Sequence, residues 1–302
     1  PTRVIDVGSP SRGPRLYRSE GEVASYVALS YCWGKPSDGT LKPLVTTRSN
    51  FSDHVASIPL DTVPITLRQA IEVTRALEIQ YLWIDALCIL QDDQADWVRE
   101  ASRMADVYAN AIVTFAADWA PNSNCGLFVE LGATASPHLY PRQHLAQVMT
   151  FQERLLSQRI IHFRNAELEW ECKSGMQCEC GHWINTTGKM ALPHNPYSFG
   201  NAPEHLSLAW KRLVEEYTTR CITFGKDRLA AISCLARQYP FPPTSYIAGM
   251  WSPLLKYTLM WQNNNSHAHG KRTLNASDEP IRRPHEYAPS WSWASVVVPV
   301  RF

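Results

Sequence analysis

Three strand-length runs of almost unbroken apolar residues, at 26–30, 81–84 and 112–116, constrain this 302-residue chain more than any other feature. A strand that is apolar on both faces has to be covered on both, which is the situation of parallel strands lying between helices. The intervening segments carry helical spacing. Leu67, Ala70, Ile71, Thr74 and Leu77 form one stripe, and Thr66 with Gln69 reads as a capping box just after Pro64. Trp97, Ala101, Met104 and Tyr108 form a second stripe behind Asp92, Asp93 and Asp96, whose charges favour a helix N-terminus. Strands alternating with helices predict βα units and a parallel sheet over residues 23–131.

Composition narrows the class. Hydrophobic residues make up 45% of the chain and include 11 Trp, 12 Tyr and 9 Phe, enough for a large core, and the length suits one large domain or two that share an interface. Lys and Arg number 29 against 28 Asp and Glu, so no global charge draws the chain to nucleic acid or to an anionic membrane. No run reaches the roughly 18 apolar residues of a membrane span, and Pro1-Thr2-Arg3-Val4 opens without a signal-peptide core, so a cytoplasmic protein is expected. Eight cysteines, several within apolar runs, suit a reducing compartment and buried thiols better than a disulfide scaffold.

The remaining organisation reads as an N-terminal segment at 1–22, a linker at 132–144 rich in Pro and His, and an α+β region at 145–302. Within that region residues 159–163 are a strand candidate. Leu168, Trp170 and Cys172 alternate with Glu167, Glu169 and Glu171, as in a strand with one wet face. Helical stripes follow at 206–217 and 229–236, and many of the tryptophans are expected to fill the seam between this region and the sheet.

In an open parallel sheet, ligands gather where loops diverge beyond the carboxyl ends of the strands. Here Ser30 ends the first strand and Tyr31, Cys32, Trp33 and Gly34 leave it; Asp85 and Cys88 follow the second strand, Asp118 and Trp119 the third. A shared rim would make Cys32, Asp85 and Cys88, with Glu153, the candidate catalytic groups, and Ser30, Tyr31, Trp33, Gly34, Asp118 and Trp119 the candidate binding groups for a small molecule. The plainer alternative is that the cysteines are small core hydrophobes and that Asp85 caps a turn. A thiol nucleophile would need a base from far off in sequence, such as His162 or His182, and Glu100 is an acid/base candidate if buried. Cys172, Cys178, Cys180 and His182 raise a zinc question, yet their spacing is not that of paired C-x2-C knuckles. Cys178 and Cys180 would share one face of a strand, so core packing is preferred and no metal or cofactor is expected. The common nucleotide, lipase and metalloprotease signatures are absent.

Taken together, 26-YVALSYCWG-34, 67-LRQAI-71 and 81-YLWIDALCILQDD-93, with Trp97, Glu100, Met104 and Tyr108, resemble the fungal heterokaryon-incompatibility (HET) domain. Further along, 152-QERLLS-157, 159-RIIHF-163, 170-WEC-172, 246-YIAGMW-251 and 288-APSWSWA-294 resemble the C-terminal half usual in such proteins, although the family's Arg-Gly-Trp-Thr before the QE pair is Gln147-Val148-Met149-Thr150 here. The resemblance implies a filamentous fungus, a role in non-self recognition and programmed cell death, and an α/β fold remotely similar to flavodoxin-like and Toll/interleukin-receptor (TIR) domains. Two alternatives stay open: an enzyme of fungal secondary metabolism using acid/base or thiol chemistry, and a NAD glycohydrolase of TIR type. The second departs from its pattern, because the glutamate expected three residues after Cys125 is Phe128. A small-molecule ligand and a protein partner are both compatible with the sequence.

Overall fold

The three apolar runs lie side by side and point the same way. In the computed structural model the described residues are 1–9, 11–34, 44–128, 151–165, 167–172, 174–181, 183–184, 202–219, 228–237, 239–264, 288–296 and 298–302. The expected linker at 132–144 and His182 fall outside them. The chain divides into two compact units, residues 1–189 and 190–302.

The first unit is an α/β assembly around a mixed sheet. Its strands are β1 (Arg3–Asp6), β2 (Arg15–Arg18), β3 (Tyr26–Ser30), β4 (Tyr81–Trp83), β5 (Val113–Ala116), β6 (Arg159–Phe163), β7 (Leu168–Cys172), β8 (Gly175–Cys178) and β9 (Trp183–Ile184), in spatial order β2-β1-β4-β3-β5-β6-β7-β8-β9. The stretch β4-β3-β5-β6 is parallel, with Tyr26 opposite Tyr81 and Leu29 opposite Phe115. The strands on either side of it are antiparallel. All five residues of β3 are buried, as a strand covered on both faces requires.

The sheet reaches beyond residues 23–131 on both sides. The N-terminal segment 1–22 contributes β1 and β2 to the sheet, and β1 is wholly buried with Asp6 held by Arg12 and Arg15. The turn between them needs a glycine: Gly8 sits at φ +72, and a Cβ there would lie 2.1 Å from the Arg12 carbonyl. At the other edge β6 to β9 continue the same sheet, so the compact units part at 189/190 rather than near 145.

Helices α1 (Phe51–Ala56), α2 (Ile65–Ala76), α3 (Asp85–Cys88), α4 (Gln94–Asn110) and α5 (Phe151–Leu156) complete this unit. Asp93 caps α4 by accepting from the Ala95 and Asp96 amides, as its acidic approach predicts. Of the expected stripe only Tyr108 is on the buried face of α4, however. That face runs through Asp96, Glu100, Val107 and Tyr108, while Trp97 is 48% exposed. Charged groups can take the inner face because Arg3 and Arg99 reach Asp96, and Arg99 also reaches Glu100. Thr66 and Gln69 do not form the expected capping box. Thr66 accepts from the Gly126 amide, and Gln69 accepts from Leu127 and Phe128, so α2 fastens the loop that follows β5.

The second unit contains α6 (Pro203–Thr218), α7 (Arg228–Ala236), the hairpin β10 (Tyr246–Ile247) and β11 (Met250–Trp251), the short α8 (Leu255–Thr258), and the pair β12 (Gln262–Asn263) and β13 (Val300–Arg301). Trp210, Trp251 and Trp293 are buried in its core. The indoles of Trp210 and Trp293 both donate to the Gly249 carbonyl, at 3.0 and 2.9 Å, and Trp251 packs on Tyr239 and Tyr246. Gly249 lies at φ +86 and any Cβ would strike the Trp293 ring. Among the described residues no helix is long and apolar enough to cross a membrane.

Candidate functional site

The carboxyl ends of the parallel strands collect buried charged and polar side chains. Ser30, the last residue of β3, donates its hydroxyl to Glu153 in the first turn of α5. Tyr108 of α4 reaches the same carboxylate and lies 3.3 Å from the Leu29 carbonyl. Helix α5 is held against β5 because Ser157 hydrogen-bonds both Thr114 and the Glu153 carbonyl.

One strand further along, Asp118 follows β5 and meets His162 of β6. His162 Nδ1 lies 2.7 Å from Asp118 Oδ2, and its Nε2 lies 2.8 Å from Glu171 Oε2 on β7. Arg154 Nε donates to both Glu171 oxygens, at 2.9 and 3.2 Å. An imidazole facing a carboxylate from each nitrogen has two acceptors to satisfy, and only the protonated ring donates twice. Burial by itself would lower the His162 pKa, but the hydrogen bonds to Asp118 and Glu171, with their charges, outweigh it and the value is raised. Burial pushes Glu171 upward, yet the His162 bond and the Arg154 guanidinium bring it down to about 2. The other Asp118 oxygen, Oδ1, is buried and has no hydrogen-bond partner among the described residues.

Nearer β4, Trp33 donates its indole N–H to Asp85 Oδ2 at 3.0 Å, and the Ala86 amide donates to Oδ1 at 2.7 Å. Burial raises Asp85 to about 6 in spite of these donors. Tyr31 is raised well above the ordinary phenol value, by burial first and then by the Asp85 and Cys32 charges. Cys32 is half-buried. Cys88 is fully buried, receives the Ile84 amide at 3.5 Å, and is pushed by burial up to about 12, so it behaves as a core residue and not as a nucleophile. Gly34 takes φ +91. Trp119 donates to the Leu127 carbonyl at 2.9 Å, a contact that orders the loop after β5. Glu100 is buried but spent on Arg99.

The structure thus groups Ser30, Tyr31, Trp33, Asp85, Asp118 and Glu153 at one end of the sheet and adds residues that no local pattern marks. Glu171 was expected on a wet face, yet it is the buried residue of β7, because Arg154 and His162 supply its partners from neighbouring elements. A cavity of about 1120 Å³ lies elsewhere, at the amino ends of the strands, where Tyr26, Tyr81, Tyr17, Phe51 and Arg103 line it. Cys32, Asp85 and Cys88 are not among its walls.

Comparison with known proteins supplies the family. Residues 26–170 match the family described as Heterokaryon incompatibility protein (HET). By this match, residues 26–170 are a HET domain. The matched stretch starts on the first residue of β3 and ends within β7, so the HET domain holds Ser30, Asp85, Asp118, Glu153 and His162. The chain is also similar to Heterokaryon incompatibility protein 6, OR allele, of Neurospora crassa, at 38% identity over 93 residues, which is 29% of this chain and 13% of that protein's length. No solved structure matches the chain.

Proposed function

We propose that this HET-domain protein acts in the cytoplasm of a filamentous fungus, in the non-self recognition that ends in programmed cell death, and that the charged cluster at the strand ends is the part it works through. The family match over residues 26–170 carries this reading, together with the similarity to a Neurospora crassa heterokaryon incompatibility protein. The order β4-β3-β5-β6 supports kinship with flavodoxin-like and TIR-like sheets: the connection leaving β3 leads to β4 on one side and that leaving β5 leads to β6 on the other, so the crevice between β3 and β5 is a topological switch point. Asp118, just beyond β5 and bonded to His162 of β6, has one buried carboxylate oxygen with no hydrogen-bond partner among the described residues. Leaving such a group unsatisfied costs roughly 1–3 kcal/mol, which favours a donor reaching it.

A catalytic reading has less support. Burial favours the neutral Cys88 thiol, and both His162 ring nitrogens are engaged by carboxylates, which leaves neither free to take a proton from a substrate. Cleavage of NAD in the TIR manner lacks its glutamate, since Phe128 stands in the expected place and the Cys125 thiol is turned to Asn122.

The test is inducible expression of the full chain in a filamentous fungal host. Hyphal compartments are expected to lose viability within hours of induction. Normal growth at confirmed high protein levels would overturn the proposal.

A further inference from the structure

Outside the strand-end cluster, the hairpin of β7 and β8 brings together three potential metal-binding atoms: a Glu167 carboxylate oxygen and the sulfurs of Cys178 and Cys180 lie within 4.8 Å of one another. Cys178 and Cys180 are joined as a disulfide, which corrects the expectation of free thiols. The cause is local. Cys178 ends β8, and a turn closed by the Gly181 amide on the Cys178 carbonyl swings Cys180 back onto the same side. The carboxylate is held in place as well. Antiparallel pairing runs past the end of β8 through the Glu179 amide to the Leu168 carbonyl, at 2.9 Å, and the Cys180 amide points at Glu167 Oε2 from 3.4 Å. Among the described residues no cation pairs with Glu167, since Arg164 is engaged by Glu169 and Asp118.

We infer that Cys178, Cys180 and Glu167 form a redox-gated site for a soft divalent cation, with zinc the best fit. Two thiolates and one carboxylate give zinc three anionic ligands on a preformed hairpin, and water takes the fourth tetrahedral position. Zinc–sulfur bonds of roughly 2.3 Å require the sulfurs to stand about 3.8 Å apart, so the bonded pair excludes the metal and the reduced pair admits it. Opening consumes two electrons and two protons from a small-molecule dithiol, which closes its own disulfide as the Cys178–Cys180 bond breaks. Zinc then displaces the two thiol protons into solvent. Cys180 is exposed, so reductant and metal both reach the site.

The experiment is zinc titration by calorimetry of the full chain, once oxidised and once reduced with a dithiol and desalted without air, with cobalt absorption as a second readout. The reduced chain is expected to bind one zinc per molecule and to show thiolate-to-cobalt charge-transfer bands, while the oxidised chain shows neither. Cys180→Ser, a change at an exposed position, is expected to abolish both signals, and Glu167→Gln to weaken zinc binding by roughly tenfold or more. No zinc uptake by the reduced chain, equal uptake by the oxidised chain, or unchanged affinity in either variant would overturn the assignment.

Discussion

Ser30 and Glu153 stand 123 residues apart in sequence and share a buried hydrogen bond at the carboxyl end of the central strand. Because β3 is fixed on both sides by parallel neighbours, this bond sets where α5 starts, and through Arg154, the next residue, where Glu171 and His162 find their charge. One contact therefore ties the middle of the sheet to its charged flank.

Replacing Ser30 with alanine removes one donor from the buried Glu153 carboxylate. The expected cost is roughly 1–3 kcal/mol of unfolding free energy, read as a lower urea midpoint with an unchanged slope. A midpoint equal to that of the wild type would show that the bond contributes nothing.

His162 makes stability depend on pH in a defined direction. Its folded pKa lies above the ordinary 6.5, so its contribution is fully present below about 6.5 and is lost as the pH rises through the folded value. Glu171, brought down to about 2 from 4.5, contributes above about 4.5 and loses that contribution as the pH falls toward 2. His162→Gln is expected to cost roughly 3–5 kcal/mol near pH 5.5, where both contributions are intact, because two buried carboxylates lose their shared cation. The gap between variant and wild type should narrow as the pH rises, in urea titrations run from pH 5 to 9. A gap that does not change with pH would refute the imidazolium assignment.

Asp85 and Trp33 form a reporter pair. The carboxyl has a pKa of about 6, so it ionises between pH 5 and 7 while facing the Trp33 indole N–H. The Trp33 indole proton resonance is expected to shift with a midpoint near pH 6, and Asp85→Asn should abolish the shift. A flat titration in the wild type would contradict the buried, hydrogen-bonded placement of Asp85.

The thiols are expected to alkylate in a fixed order. Burial acts to raise the Cys172 pKa, but the Ser174 and Gly175 amides and the Trp170 indole outweigh it, and the thiol is partly exposed. Cys88 is fully buried and held near 12. Timed iodoacetamide labelling read by peptide mass spectrometry should modify Cys172 early and leave Cys88 untouched until the chain unfolds. Comparable labelling rates for the two would refute this order.

The parallel core was legible because uninterrupted apolarity at 26–30, 81–84 and 112–116 carries a direct physical demand, and the register of Tyr26 with Tyr81 meets it. Asp93 was legible as a cap for a similar reason: its side chain serves its own helix. Patterns whose meaning depends on distant partners were not legible. The alternation in β7 marks Glu171 as a surface residue, and only Arg154 and His162, brought in by α5 and β6, make its burial affordable in charge. Thr66 and Gln69 fit a capping box in sequence, but the loop after β5 supplies better donors for both. β1 and β2 escaped notice because four-residue strands that carry arginines, 3-RVID-6 and 15-RLYR-18, hold no long apolar run.

The most direct test of the strand-end cluster as the working part of this HET-domain protein is the fraction of non-viable hyphal compartments after induced expression, compared at equal protein level between wild type and Glu153→Gln. This variant keeps the side chain's shape and removes its charge. Wild-type expression is expected to kill and Glu153→Gln to spare most compartments, while thermal unfolding confirms that the variant is folded. Equal killing by a folded Glu153→Gln protein would contradict the assignment of function to this cluster.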